Sequence, residues 1–240
     1  MPVERTILAT SGGVRRGERT FFEFSELTDF AVELAGVTGR APRLCTVSTA
    51  VGDNPFVLHA LSEAAKIAGY DHTHLQLFEM PNVADQAEHL LAQDVVWVMG
   101  GSVANLLAVW RVHGLDDAMR AAWEAGVVLT GVSAGSICWH SGGTTDSFGA
   151  DLQPITNGLG LLPYGNGVHY DGEARRRPLM QRLVADGALP ESYCTDDGAG
   201  ILYRGTEFAE AVSELDGAGA YHLVRDSDVA VETALPIRRL

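Results

Sequence analysis

The run Val127-Val128-Leu129-Thr130-Gly131-Val132-Ser133-Ala134-Gly135-Ser136-Ile137-Cys138 carries the strongest local signal in the chain. A short apolar, β-rich segment delivers the backbone into Gly-x-Ser-x-Gly, and small and apolar residues follow in a helix-compatible order. That strand-then-helix context is what a tight elbow needs to lift a serine hydroxyl above the C-terminal edge of a sheet. The flanking glycines matter because the backbone there is strained and the following helix must approach closely. Ser133 is therefore the candidate nucleophile, and the Ala134 N–H a candidate donor to a developing oxyanion. A second donor is expected from the Gly100-Gly101 turn, which ends another strand and so lies on the same sheet edge.

Working outward, short apolar runs alternate with helical patterns, the βαβ signature of a mostly parallel sheet covered on both faces. Strands are expected at Thr6–Ala9, Arg43–Val47, His74–Phe78, Val95–Val98 and Val127–Thr130. Helical patterning covers Phe22–Leu34, Pro55–Ala68, Asp85–Leu91, Val103–Val112 and Leu115–Ala125, with Gly69 and Gly126 as stops. Beyond the elbow the pattern is less regular: a Gly/Thr/Ser-rich loop at Ser141–Gly149, a helix over Glu173–Ala185, and short strands at Ile201–Tyr203, Ala209–Ser213 and Tyr221–Val224. That tail reads as an antiparallel extension of the sheet. No repeat or linker divides the chain, so residues 1–240 are expected to form a single catalytic domain.

Composition narrows the function classes. Seventeen Lys+Arg against 31 Asp+Glu leave a formal charge of −14 over 240 residues, which disfavours nucleic acid and anionic membranes as partners. Cys45, Cys138 and Cys194 are too few for a disulfide framework and have no Cys-x-x-Cys spacing, so a reducing, cytoplasmic setting and no structural zinc are expected. Glu4 and Arg5 interrupt the first apolar run, so no signal peptide is expected, and no segment reaches a membrane-spanning length. Ser11-Gly12-Gly13 lacks the further glycines or lysine of a nucleotide-binding loop. No metal or other cofactor is expected.

A serine needs a base held by a third group. Of eight histidines, His59, His72, His74 and His89 lie in upstream helix or strand patterns, and His113 ends a helix. His140 projects from the helix after the elbow. His169 sits in Gly165-Asn166-Gly167-Val168-His169-Tyr170-Asp171-Gly172, a glycine-bounded segment free to face a cleft. His222, beside a late strand, is the rival.

Four segments in order carry a family pattern: Gly100-Gly101-Ser102-Val103-Ala104-Asn105-Leu106-Leu107, Gly131-Val132-Ser133-Ala134-Gly135, Gly143-Thr144-Thr145-Asp146 and His169-Tyr170-Asp171. Together they resemble the peptidase E (aspartyl dipeptidase) and cyanophycinase family of serine peptidases. The resemblance spans roughly residues 95–205. It implies a fold similar to class I glutamine amidotransferases, flavodoxin-like in its sheet, and a Ser-His-acid triad that cleaves small peptides.

On that resemblance Ser133 is the nucleophile, His169 the base, and Gly101 and Ala134 the oxyanion donors. Asp197, in Thr195-Asp196-Asp197-Gly198, stands where family members carry a glutamate and is the first choice for the acid. Asp146 matches a second family aspartate and is read as orienting the site or binding the substrate amine, the alternatives being the triad acid itself or a loop cap supported by Thr144 and Thr145. The family's preference for N-terminal aspartate calls for a cation, and Glu173-Ala174-Arg175-Arg176-Arg177 supplies candidates. Successive helical residues point about 100° apart, so Arg175 and Arg176, with Gly100, are taken as substrate-binding candidates. An α/β-hydrolase esterase would instead order its triad Ser133, Asp197, His222. A cyanophycinase-like peptidase and a non-enzymatic binding module are further alternatives, and a homodimer is compatible with all of them.

Overall fold

The computed structural model describes residues 4–240. Five parallel strands run inward from one edge of an eight-stranded sheet: β5 (Asp71–Leu75), β4 (Arg43–Val47), β6 (Val95–Val98), β7 (Val128–Val132) and β1 (Thr6–Thr10), in that spatial order. β12 (Ala199–Arg204) and β13 (Glu207–Ser213) extend it antiparallel beyond β1, and β16 (Ile237–Arg239) closes that edge.

Alternation along each strand sends side chains to opposite faces, and the two cores divide accordingly. Leu8, Leu44, Val95, Trp97 and Val128 pack with α1 (Glu26–Leu34) and α2 (Pro55–Ala68). Ile7, Cys45, Val96, Val98 and Leu129 belong to the opposite core, which receives Leu90 of α3 (Gln86–Leu91), Trp110 of α4 (Val103–His113), and Met119 and Trp123 of α5 (Leu115–Glu124). The expected mostly parallel, helix-covered sheet is thus the architecture found. The helix starts have local causes: Asn54 Oδ1 accepts the Phe56 N–H at 2.9 Å ahead of α2, and Ser102 Oγ accepts the Asn105 N–H at 3.2 Å ahead of α4.

Two parts of the chain differ from the sequence reading. The segment expected as a loop at Ser141–Gly149 begins as β8 (His140–Thr145), part of a second, six-stranded sheet ordered β15 (Val229–Ala234), β14 (Ala220–Asp226), β11 (Ser192–Thr195), β10 (Leu162–Gly167), β8, β9 (Gln153–Ile155). Its glycines answer to close packing: a Cβ on Gly142 would lie 2.0 Å from the Ile155 carbonyl oxygen, and one on Gly143 would lie 2.2 Å from that of Asn166. The C-terminal strands also split, with β12 and β13 extending the first sheet while β14 and β15 join the second.

Smaller shifts follow the same logic. β5 sits three residues earlier than expected because its register is set by β4. α7 (Arg176–Ala185) begins at Arg176, not Glu173, and covers the second sheet through Leu179, Met180, Leu183 and Val184. β2 (Val14–Arg15) and β3 (Glu23–Phe24) form a small hairpin before α1. α6 (Ala134–Ile137) is a single turn after the elbow. No helix among the described residues is long and apolar enough to cross a membrane.

Candidate active site

Ser133 occupies the junction between β7 and α6 with φ 57° and ψ −112°, a conformation costly for a residue with a side chain. Gly131 and Gly135 make the turn sterically feasible. A Cβ on Gly131 would lie 2.6 Å from the carbonyl oxygens of Gly135 and Val98, and one on Gly135 would lie 2.2 Å from the Val98 oxygen. The elbow is also tied to the second sheet, since Ser136 Oγ donates to Asn166 Oδ1 at 2.9 Å.

β10 leads to His169 and β11 leads to Asp197, so the second sheet brings both residues to the edge where the first presents Ser133. His169 Nδ1 is hydrogen-bonded to the Asp197 carboxylate. The Asp197 N–H in turn donates to Asp171 Oδ1 at 2.9 Å, which ties down the loop carrying Asp197. A bond on Nδ1 leaves Nε2 as the nitrogen available to a nucleophile. Ser133, His169, Gly101, Ser102, Asp146, Ser147, Glu173 and Arg176 line one cavity of about 470 Å³, within the range of small-ligand sites.

Gly101 adopts φ 137°, and a Cβ there would lie 2.5 Å from the Ala50 carbonyl oxygen, so this turn admits only glycine. Ala134 N–H opens a helix and has no preceding turn to receive it. Gly100 packs against Ser133, its would-be Cβ lying 3.1 Å from Ser133 Cβ. Asp146 is exposed and lines the cavity without bonding the imidazole. Thr145 caps the turn through Ser147, and Thr144 serves Arg176 instead.

The three arginines diverge as helical geometry requires. Arg175 bonds Asp151 Oδ1 and the Ala150 carbonyl, both at 2.8 Å, and lines a neighbouring cavity, so it does not reach the Ser133 site. Arg177 pairs with Glu232 and lies over the rings of Tyr170 and Tyr221. Arg176 alone enters the Ser133 cavity, with 4% of its surface exposed. Its Nη1 bonds the Thr144 carbonyl at 2.6 Å and Thr144 Oγ1 at 3.3 Å, while Nε and Nη2 bond Glu173 Oε2 at 3.0 and 2.5 Å. Of the five guanidinium N–H bonds, one on Nη2 is left for a ligand.

Three other histidines lie away from Ser133. His222 Nε2 bonds Glu191 at 2.6 Å and the ring stacks on Tyr193, outside the Ser133 cavity, which removes the geometry an esterase-type triad requires. His140 is fully buried between the Ser136 carbonyl and Tyr203 OH, and burial pushes its pKa down to about 4. His113 lines a different cavity. The three cysteines are buried and unpaired, as small apolar residues would be. Sequence reading did not assign roles to Glu173 or Asp171. The i, i+3 spacing of Glu173 and Arg176 at a helix start was the available signal for the first.

The family model for peptidase family S51 matches residues 7–211. The chain belongs to peptidase family S51. This S51 chain is a serine peptidase. It is 37% identical over 201 residues to the uncharacterised peptidase YgaJ of Bacillus subtilis (strain 168), covering 83% of this chain and 85% of the relative. In fold it resembles a peptidase from an acI-B1 Actinobacterium, with a TM-score of 0.69 at 15% identity over 98% of this chain and 96% of that one. It also resembles a protein from Listeria monocytogenes EGD-e described as a peptidase E, with a TM-score of 0.61 at 18% identity over 86% and 98% of the two chains.

Proposed function

We propose that the protein is a dipeptidase acting through a Ser133-His169-Asp197 triad, with a preference for N-terminal aspartate. The observation that carries the triad is the His169 Nδ1 bond to Asp197 beside a strained Ser133 in the same cavity. His169 Nε2 takes the Ser133 proton as Oγ attacks the scissile carbonyl, and the N–H groups of Gly101 and Ala134 receive the oxyanion. The imidazolium then protonates the leaving amine, and water attacks the acyl-enzyme with His169 again as base. Because Ser133 comes from one sheet and its partners from the other, the chain is read as one catalytic domain.

The substrate reading rests on charge placement. Arg176 is the one arginine in the cavity and keeps one N–H free for a carboxylate, while Asp146 offers a carboxylate to the substrate ammonium. The cavity's modest size favours small peptides over folded proteins. A profile of kcat/KM over Asp-X, Glu-X, Ala-X and Leu-X dipeptides, repeated on Arg176→Met, tests this. Asp-X is expected to lead in the parent and to lose its lead, by roughly tenfold or more, in the variant. A flat parent profile contradicts the aspartate preference and leaves the triad untouched.

A further inference from the structure

The turn ending β1, Thr10-Ser11-Gly12, lies outside the cavity described above, and its Ser-Gly-Gly sequence fits no phosphate-binding pattern. It nevertheless bonds the backbone at or beside each triad member. The Thr10 carbonyl accepts the Ser133 N–H at 3.1 Å. Ser11 Oγ accepts the His169 N–H at 3.1 Å. The Ser11 carbonyl accepts the N–H of Gly198, the residue after Asp197, at 3.1 Å, and the Ser11 N–H donates to the Ala199 carbonyl at 2.8 Å.

The Ser11 hydroxyl is used completely. A serine hydroxyl has one proton to donate and two lone pairs. Here the oxygen accepts the His169 N–H, and the proton faces Thr195, whose carbonyl lies at 3.2 Å and whose hydroxyl, able to donate or accept, lies at 2.7 Å. Ser11 is 4% exposed and Thr195 is fully buried, so water does not substitute for these partners. His169 itself has φ 51° and Ser133 has φ 57°. Such conformations persist only where the surroundings over-determine them, and both strained residues donate their N–H groups to the same turn.

We propose that the Ser11 hydroxyl is a positioning group for the His169-Asp197 pair. By holding the His169 backbone to the strand that precedes the Asp197 loop, it sets the imidazole relative both to its carboxylate and to Ser133. The proposal rests on the triad reading above. Ser11 reaches the substrate only through His169, so its loss acts on turnover and leaves binding alone.

The test compares Ser11→Ala and Ser11→Thr with the parent full-length protein. Three quantities are read: kcat and KM on the best dipeptide, the rate at which a fluorophosphonate labels Ser133, and the downfield NMR resonance of the His169 Nδ1 proton. Ser11→Ala is expected to lower kcat and the labelling rate about 10- to 100-fold, as for other misplacements of catalytic groups, with KM within about twofold and the downfield resonance broadened or lost. Ser11→Thr, which keeps the hydroxyl, is expected to recover much of the rate. Unchanged kcat with the resonance intact in folded Ser11→Ala overturns the proposal, as does a loss confined to KM. Should Ser11→Ala fail to fold, Thr195→Val removes the hydroxyl partner with little change of shape and is expected to lower kcat in the same sense; unchanged kcat there overturns it equally. A parent protein that does not label at Ser133 instead brings down the triad reading itself.

Discussion

Replacing Asp197 by Asn separates the two acids that the sequence left in competition and has a magnitude the structure can supply. Asp197 holds the His169 Nδ1 proton, and its side chain is 50% exposed against 30% for His169. A hydrogen bond to a charged group is worth about 1.5–3 kcal/mol, and each 1.36 kcal/mol in the barrier is about tenfold in rate. Loss of the charge alone therefore predicts a kcat/KM lower by roughly 10- to 150-fold. In a sealed site an amide can also force the wrong imidazole tautomer, with losses of about 10⁴ in a serine-protease triad. Here the half-exposed amide can turn its oxygen to Nδ1 and its NH₂ to water, so the smaller range is expected. Asp146→Asn, which removes an exposed carboxylate not bonded to the imidazole, should raise KM and leave kcat within about threefold. Steady-state kinetics on one dipeptide over the four proteins of the double-mutant cycle measures both effects. A collapse of kcat in Asp146→Asn with an unaffected Asp197→Asn refutes the assignment of the acid, and a loss near 10⁴ in Asp197→Asn refutes the argument from exposure.

Two predictions concern the scaffold. Gly135→Ala places a Cβ 2.2 Å from the Val98 carbonyl oxygen, an overlap of backbone with backbone that should cost about 3 kcal/mol or more and lower Tm by roughly 6–12 °C, measurable by calorimetry. His140, held neutral by burial with a pKa near 4 against an ordinary 6.5, makes stability pH-dependent. Below 6.5 the unfolded chain binds a proton that the folded chain refuses, so this residue removes roughly 3 kcal/mol between pH 6.5 and 4. Urea midpoints across that range should fall, and His140→Gln should flatten the decline; an equally steep decline in the variant places its source elsewhere.

The parallel centre of the fold was legible because its strands are short apolar runs between helical patterns, with Gly69 and Gly126 marking the stops. Val127–Thr130 and the elbow after it were the clearest case, since strand, turn and small residues agree. The second sheet was hidden for a physical reason. His140–Thr145, read as part of a Gly/Thr/Ser-rich loop, and Leu162–Gly167 are rich in Gly, Thr, Pro and Asn and lack an apolar strand pattern, yet Gly142 and Gly143 are there because neighbouring carbonyls leave no room for a Cβ. Ser133 could be read from its local motif, while His169 and Asp197 depended on a family pattern, because the two meet through a sheet that sequence periodicity did not reveal. The divergence of Arg175, Arg176 and Arg177 followed from helical angle alone, but which of them entered the cavity was fixed by packing of α7 on the second sheet. The Ser11-Gly12-Gly13 turn fitted the family pattern, but the part played by the Ser11 hydroxyl was not legible, because its partners His169 and Thr195 lie more than 150 residues away in sequence.

Covalent trapping tests the proposed nucleophile, Ser133, without recourse to any substrate assignment. The protein is incubated with a fluorophosphonate, digested, and the modified peptide sequenced by mass spectrometry while peptidase activity is followed in parallel. One adduct is expected, on Ser133, formed in step with loss of activity, absent in Ser133→Ala and slowed in His169→Ala. Peptidase activity retained by folded Ser133→Ala, or inactivation accompanied by an adduct on another residue, would contradict that role for Ser133.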